Sequence, residues 1–303
     1  MNKISILHHS IRFLDILFRN VMLAAAVMIL MYVLYIEFDN YRMITDADST
    51  KYISYKPVSD DTLSFEELRK INPDVIGWIT IDGTNIDYPI VQGKDNGTYI
   101  NQNVMGEFSL SGAIFLDARN QPDFSDNLSV IYGHNMTGNM MFGGLKLFED
   151  EEYFQTHRTG TLFHDENYYQ LEIFSCFPAN GYDKYVYRLP LLSEQYPEWL
   201  SYITERSVQK AEAFPIDMPV LLMSTCAVGE TDGRTLLACA VRPGGIPMKS
   251  EQKNDTSYIF KVFDSAWQYA NIKTLLTAGC CLTILTISYI RHRRKGAFDH
   301  AES

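Results

Sequence analysis

Between residues 75 and 242 the chain is written in eight short runs rich in β-branched and aromatic residues, each closed by turn chemistry. They read "VIGWITI", "IDYPIV", "SGAIFLD", "LSVIYG", "GTLFH", "YYQLEIFSCF", "VLLMST" and "TLLACAVR". Pairs such as Asp82-Gly83 and Asp232-Gly233 punctuate them. Short strands at this density predict a mostly β fold, a single closed or nearly closed eight-stranded barrel, because closure disposes of unpaired strand edges. One segment breaks the pattern: in "SEQYPEWLSYITERSVQK", residues 193–210, Trp199, Tyr202 and Ile203 fall at helical spacing. It predicts a helix packed on the barrel. Ahead of the first strand, "DDTLSFEELRKINPD" offers Ser64 as N-cap with Glu67 three residues on and Pro73 as a stop, which predicts a short N-terminal helix.

Two segments lie outside this globular pattern. "VMLAAAVMILMYVLYI" (21–36) and "TLLTAGCCLTILTISYI" (274–290) carry no charged residue. Each falls slightly short of the ~20 residues of a spanning helix, and flanking aromatic and basic side chains that reach the interface make up the difference. No small-x-small cleavage site follows the first, which favours an uncleaved anchor over a signal peptide. Lys3, Arg12 and Arg19 precede the first span and Arg291, Arg293, Arg294 and Lys295 follow the second, so both ends read as cytoplasmic. The expected organisation is a cytoplasmic N-terminus (1–20), a transmembrane helix (21–36), a stalk (37–60), an extracellular catalytic domain (61–250), a linker (251–273), a second transmembrane helix (274–290) and a cytoplasmic tail (291–303). The net charge of −11, with basic residues gathered at the membrane flanks, argues against nucleic acid as a partner.

Five cysteines include two in the second span, which leaves Cys176, Cys226 and Cys239 in the exterior segment. That odd count and the absence of a small-scaffold spacing make a disulfide framework a poor reading. Cys176 and Cys239 sit inside strand patterns and read as packing residues. Cys226 ends "VLLMSTC", where a rigid strand can present a reactive side chain to a loop. Cysteine chemistry recruits an imidazole and an anion-stabilising donor. Of the exterior histidines, His157 lies in a polar surface stretch and His164 at a hairpin turn, whereas His134 in "SVIYGHNMTGNMMFGGL" leaves an apolar strand directly after a glycine. Arg234 opens the strand after the Cys226 loop, where its guanidinium could return toward the sulfur; Arg242, at the far end of that strand, is the weaker candidate. On spacing alone, Cys226 and Arg234 stay open between a nucleophile with its helper and a strand-end cysteine with a turn charge. No paired-histidine metal spacing, CxxC, phosphate loop or GxSxG elbow is present.

The ordered set "YGHNM" with a downstream "MF", then "MSTC" and an arginine opening the next strand, resembles a sortase, and the lead-in "NPDVIGWITIDGTNIDYPIVQGKDN…YIN" resembles the class B branch. The likeness runs over about residues 60–245. It implies an eight-stranded barrel and a membrane-anchored cysteine transpeptidase of Gram-positive surfaces. Cys226 would be the nucleophile, His134 the general acid and base, and Arg234 the donor to the oxyanion or the substrate. A groove touching Asn96, Ile100, Tyr132, Tyr185, Val186 and Ser224 is also implied. The partners would be surface proteins bearing a sorting signal, and an amine acceptor from a peptidoglycan precursor or a pilin lysine. No metal or organic cofactor is implied, and no calcium cluster stands out in the sequence.

Two features depart from the family pattern. Leu222 stands where a threonine is usual before "MSTC", and a second span resembles the pilin-polymerising class C. Class C, however, carries an Asp-Pro-aromatic lid, and this chain has no Asp-Pro pair. Wall anchoring is therefore the first expectation. A pilin polymerase, or a catalytically idle membrane-tethered binding module, is the alternative. An L,D-transpeptidase-like barrel would set its arginine much nearer the cysteine.

Overall fold

The structure, a computed structural model, describes residues 3–58, 63–212, 218–226 and 232–248, together with 279, 280, 283, 284 and 287. It divides into two compact units, Met1–Tyr41 with Phe260–Ser303, and Arg42–Ile259.

Helix α1 (Lys3–Ala47) runs through the first unit as far as Tyr41, and its last residues, 42–47, belong to the second. No glycine or proline interrupts this stretch, so the helix runs well past the apolar segment at 21–36. Leu23, Met28, Met31 and Leu34 are exposed on it, and among the described residues it is the one helix long and apolar enough to cross a membrane. The expected second span at 274–290 lies largely outside the described residues. Of the expected stalk, the part up to Ala47 continues α1, and Ser49–Tyr55 forms a 3-10 helix whose N-terminus is capped by the Asp48 carboxylate accepting from Thr50 N–H.

The second unit is the barrel. Its strands are β1 (Val75–Ile81), β2 (Asp87–Val91), β3 (Ile114–Leu116), β4 (Leu128–Tyr132), β5 (Thr159–His164), β6 (Asn167–Asn180), β7 (Gln209–Lys210), β8 (Val220–Cys226) and β9 (Gly233–Pro243). They pair in the order β5-β1-β2-β3-β4-β8-β9-β6, and a β5–β6 pairing closes the ring into an eight-stranded barrel. Two pairings, β2–β3 and β4–β8, are parallel. β5 and β6 meet across Asp165-Glu166, both at positive φ, the backbone that a two-residue hairpin turn demands. The two-residue β7 adds to the edge of β6 at the end of the segment 193–210 expected to be helical, and α4 stops short of it at Glu205.

Helix α2 (Leu63–Ile71) starts one residue before the expected cap, so Ser64 lies in its first turn, and it ends ahead of Pro73. Its Phe65 and Leu68 pack with Tyr52, Trp78, Val91 and Phe163. Glu151–Thr156 forms α3. Helix α4 (Tyr196–Glu205) buries Tyr196, Trp199, Leu200 and Ile203 against Leu128, Phe174, Leu222 and Leu236, while Tyr202 flanks that face. The i, i+3, i+4, i+7 spacing of these four is what makes the helix amphipathic.

Candidate active site

Three strand ends converge at one mouth of the barrel. β4 and β8 run parallel in register from Leu128↔Val220 to Tyr132↔Ser224. The Gly133 N–H extends this ladder by donating to Ser224 O at 3.2 Å. His134 therefore leaves β4 as Thr225 and Cys226 complete β8, on adjacent strands about 4.8 Å apart. β9 returns antiparallel beside β8, and its register sets Arg234 directly opposite Cys226. The order of the sheet, not proximity in sequence, brings a histidine from mid-chain to a cysteine and an arginine near its end.

Each position has a local cause. A Cβ at residue 133 would lie 2.5 Å from Ile114 Cδ1 and 2.8 Å from the Phe142 ring, so only glycine lets the chain turn out of β4 this close to the core. His134 Nε2 lies 2.9 Å from Ile100 O; a carbonyl only accepts, so Nε2 carries the hydrogen and the ring is oriented. Arg234 Nη1 donates to Gly233 O at 2.9 Å. Its guanidinium rests on Gly181, where a Cβ would come within 3.1 Å of Cζ and Nη2.

Behind this mouth lies a polar layer that the sequence did not announce. The Tyr132 hydroxyl donates to Asp117 Oδ2 at 2.8 Å, and Arg119 grips the same carboxylate through Nε at 2.9 Å and Nη2 at 2.8 Å. Burial would raise the Asp117 carboxyl, but the Arg119 guanidinium and N–H and the Tyr132 hydroxyl outweigh it and hold the group below its ordinary range. The Tyr132 phenol is pushed up by burial and by the Asp117 charge. Its ring neighbours that of Tyr187 at 6.2 Å, and the Tyr187 hydroxyl hydrogen-bonds Ser224 Oγ at 2.8 Å. A short Asp-x-Arg in "LDARN" was the one available signal for Asp117 and Arg119; Tyr187 had none.

The implied groove residues are placed differently from one another. Ile100 is exposed beside His134, and Tyr185 is exposed and stacked on Tyr202 at 5.2 Å. Asn96 Oδ1 accepts from Ala118 N–H at 2.7 Å, which pins the loop after β3. Ser224 is buried under the mouth. The Val186 side chain is wholly buried in the core under α4, so the side chain itself offers no groove surface. Its carbonyl accepts from Trp199 Nε1 at 3.2 Å, which sets the base of the Tyr185 segment.

The remaining thiols and imidazoles lie elsewhere. Cys176 is buried, with its thiol pushed up to about 12 chiefly by that burial, and Cys239 is buried and raised for the same reason. His157 stacks on Tyr153 at 3.9 Å, and His164 is buried between Phe124 and Tyr169. Arg242 forms an ion pair with Glu172 at 2.8 Å, at the other end of β9 from Arg234. Among the described residues, no three His, Cys, Asp or Glu side chains gather as a metal site requires.

A closed barrel whose strand ends bring together cysteine, histidine and arginine has the architecture of a thiol-dependent acyl-transfer enzyme. Comparison with known proteins gives the family. The sortase-domain family model matches residues 79–241. Sortase B of Staphylococcus aureus is 30% identical over 181 residues, 58% of this chain and 74% of that protein. A mutant form of Clostridium perfringens sortase B superposes with a TM-score of 0.60 at 31% identity, over 64% of this chain and 96% of the other. A Streptococcus pyogenes class B sortase involved in pilus biogenesis gives a TM-score of 0.54 at 38% identity, over 59% and 97%. The chain belongs to the sortase family of cysteine transpeptidases, in its class B branch.

Proposed function

We propose that this protein cleaves the sorting signal of surface proteins through a thioester on Cys226 and passes the acyl group to an amine. The observation that carries the proposal is the double register at the mouth: β4 beside β8 in parallel, and β9 returning with Arg234 opposite Cys226. The Cys226 thiolate attacks the scissile carbonyl carbon, and the oxygen that becomes negative is met by the fork of donors on Arg234. His134 gives its proton to the departing amine as the C–N bond breaks, leaving a thioester. An incoming amine attacks that carbonyl, loses a proton to His134 and expels the thiolate, which completes one amide-for-amide exchange. No redox step or cofactor enters this balance.

Ile100 and Tyr185, both exposed, are the groove walls in this reading, with Tyr132 as floor. Asn96 and Ser224 act beneath them by fixing the loop after β3 and the Tyr187 ring. The α1 helix supports membrane anchoring, with the barrel on the outer surface and, if 274–290 spans as well, both termini inside. Peptidoglycan cross-bridge amines are the first acceptor. Pilin lysine is a second reading with its own support, because the pilus-associated Streptococcus pyogenes relative is the most identical of the three compared. Incubating the full chain with a sorting peptide and either a cross-bridge peptide or a pilin domain distinguishes them: a ligated cross-bridge product supports wall anchoring, and a ligated pilin lysine alone replaces it.

A further inference from the structure

The loop that follows His134 is held in unusual backbone. Gly138, Asn139 and Met141 have φ of 71°, 57° and 52°, left-handed backbone on either side of an extended Met140, and it costs energy at the two non-glycine positions. Such a loop keeps its shape only if its surroundings over-determine it, so the contacts that do so bear on where His134 sits. Phe142 N–H closes the loop on His134 O at 3.0 Å. Asn85 Nδ2 donates to Gly138 O at 3.3 Å. The Tyr88 hydroxyl accepts from Met141 N–H at 2.9 Å.

Tyr88 does more than satisfy that amide. Its hydroxyl hydrogen goes to Ala47 O at 2.8 Å, and Ala47 is the last residue of α1, within the part of that helix that belongs to the barrel unit. Terminal helix carbonyls lack intrahelical partners, and here a side chain of β2 supplies one. Ala47 is wholly buried and Tyr88 is 2% exposed, so water cannot substitute for either bond. One phenol therefore links the end of the N-terminal helix, through a single buried oxygen, to the strained loop whose first residue is His134.

We infer that Tyr88 is a positioning residue that ties the His134 loop to the last turn of α1, so that seating of that turn sets the imidazole for proton transfer. The inference rests on the reading of His134 as acid and base. Tyr88 touches no substrate; it acts through Met141 and the loop. Displacing a proton-transfer group by a fraction of an ångström lowers the rate of the step it serves while leaving substrate capture in the groove largely intact.

The test uses the full chain in detergent, with Tyr88→Phe, His134→Ala and, as a comparator for loss of a remote buried hydroxyl, Tyr196→Phe, whose oxygen donates to Met218 O far from the mouth. Tyr88→Phe is expected to lower kcat about tenfold with KM changed less than about twofold. Hydrogen exchange should accelerate in peptides covering 138–143 and 42–48 but not in those covering α4. Tyr196→Phe should keep kcat and leave exchange of both tied segments unchanged. If His134→Ala is inactive while folded Tyr88→Phe turns over like wild type, this inference is overturned and the role of His134 stands. Equal loss of kcat in Tyr196→Phe overturns it too, by reducing the effect to general destabilisation. If His134→Ala itself retains turnover, the underlying reading fails instead.

Discussion

Gly181→Ala is the most discriminating small perturbation of the mouth. The added methyl would sit 3.1 Å from Arg234 Cζ and Nη2 and 3.2 Å from Nε, against ordinary contacts of 3.4–4 Å, so the guanidinium must yield by a few tenths of an ångström. Misplacing a catalytic group by about 1 Å can cost about a hundredfold in rate, so a shift of this size predicts a loss of about threefold to tenfold, or roughly 0.7–1.4 kcal/mol in the barrier. The assay is single-turnover thioester formation with a sorting peptide, alongside a melting curve to show that the barrel is intact. Arg234→Lys should cost more, because one ammonium cannot reproduce two parallel donors. Combining the two changes tests the route: if the methyl acts only through the guanidinium, Gly181→Ala adds little once Arg234 is lysine. Wild-type rates in folded Gly181→Ala would refute the argument that the guanidinium works where β9 holds it, and full additivity with Arg234→Lys would show that the methyl acts elsewhere.

Two further predictions concern what lies behind the mouth. Asp117 has a folded pKa below its unfolded one, so its contribution is fully present above about pH 4 and is lost as pH falls through the lower folded value; Asp117→Asn should flatten the decline in melting temperature below about pH 4, and an unchanged acid limb would contradict the assignment. Trp199→Ala empties the centre of the core under α4 and should cost about 3–5 kcal/mol, read as a fall in urea midpoint, whereas a loss under about 1 kcal/mol would mean that α4 is not anchored there.

The barrel was legible because its strands are short, β-branched and separated by turns: all eight runs read from the sequence became strands, and "VIGWITI" is β1 residue for residue. The positions of Cys226 and His134 at strand ends were legible for the same reason. Their adjacency was not, since it depends on β4 pairing in parallel with a strand some 90 residues later, a choice that no local pattern encodes. The connections of the polar layer are not legible for a related reason. Asp117, Tyr132, Tyr187 and Ser224 meet only after the barrel closes; the resemblance names Tyr132 and Ser224 as groove residues, but no local pattern links them to Asp117 or Tyr187. β7 was hidden because two residues carry no periodicity, and its pairing with Ser175 and Cys176 is decided by where α4 ends. The resemblance names Val186 and Tyr185 together, and sequence alone does not distinguish the buried side chain of the first from the exposed one of the second.

In the proposed reaction Cys226 carries the acyl group. Intact-mass and peptide-level mass spectrometry of the full chain, incubated with a pool of sorting peptides before and after an amine is added, tests it directly. The expected result is a peptide adduct on Cys226 that the amine discharges as a new amide, absent from Cys226→Ala. Amide product formed by folded Cys226→Ala, or an adduct on Cys176 or Cys239 in its place, would contradict it.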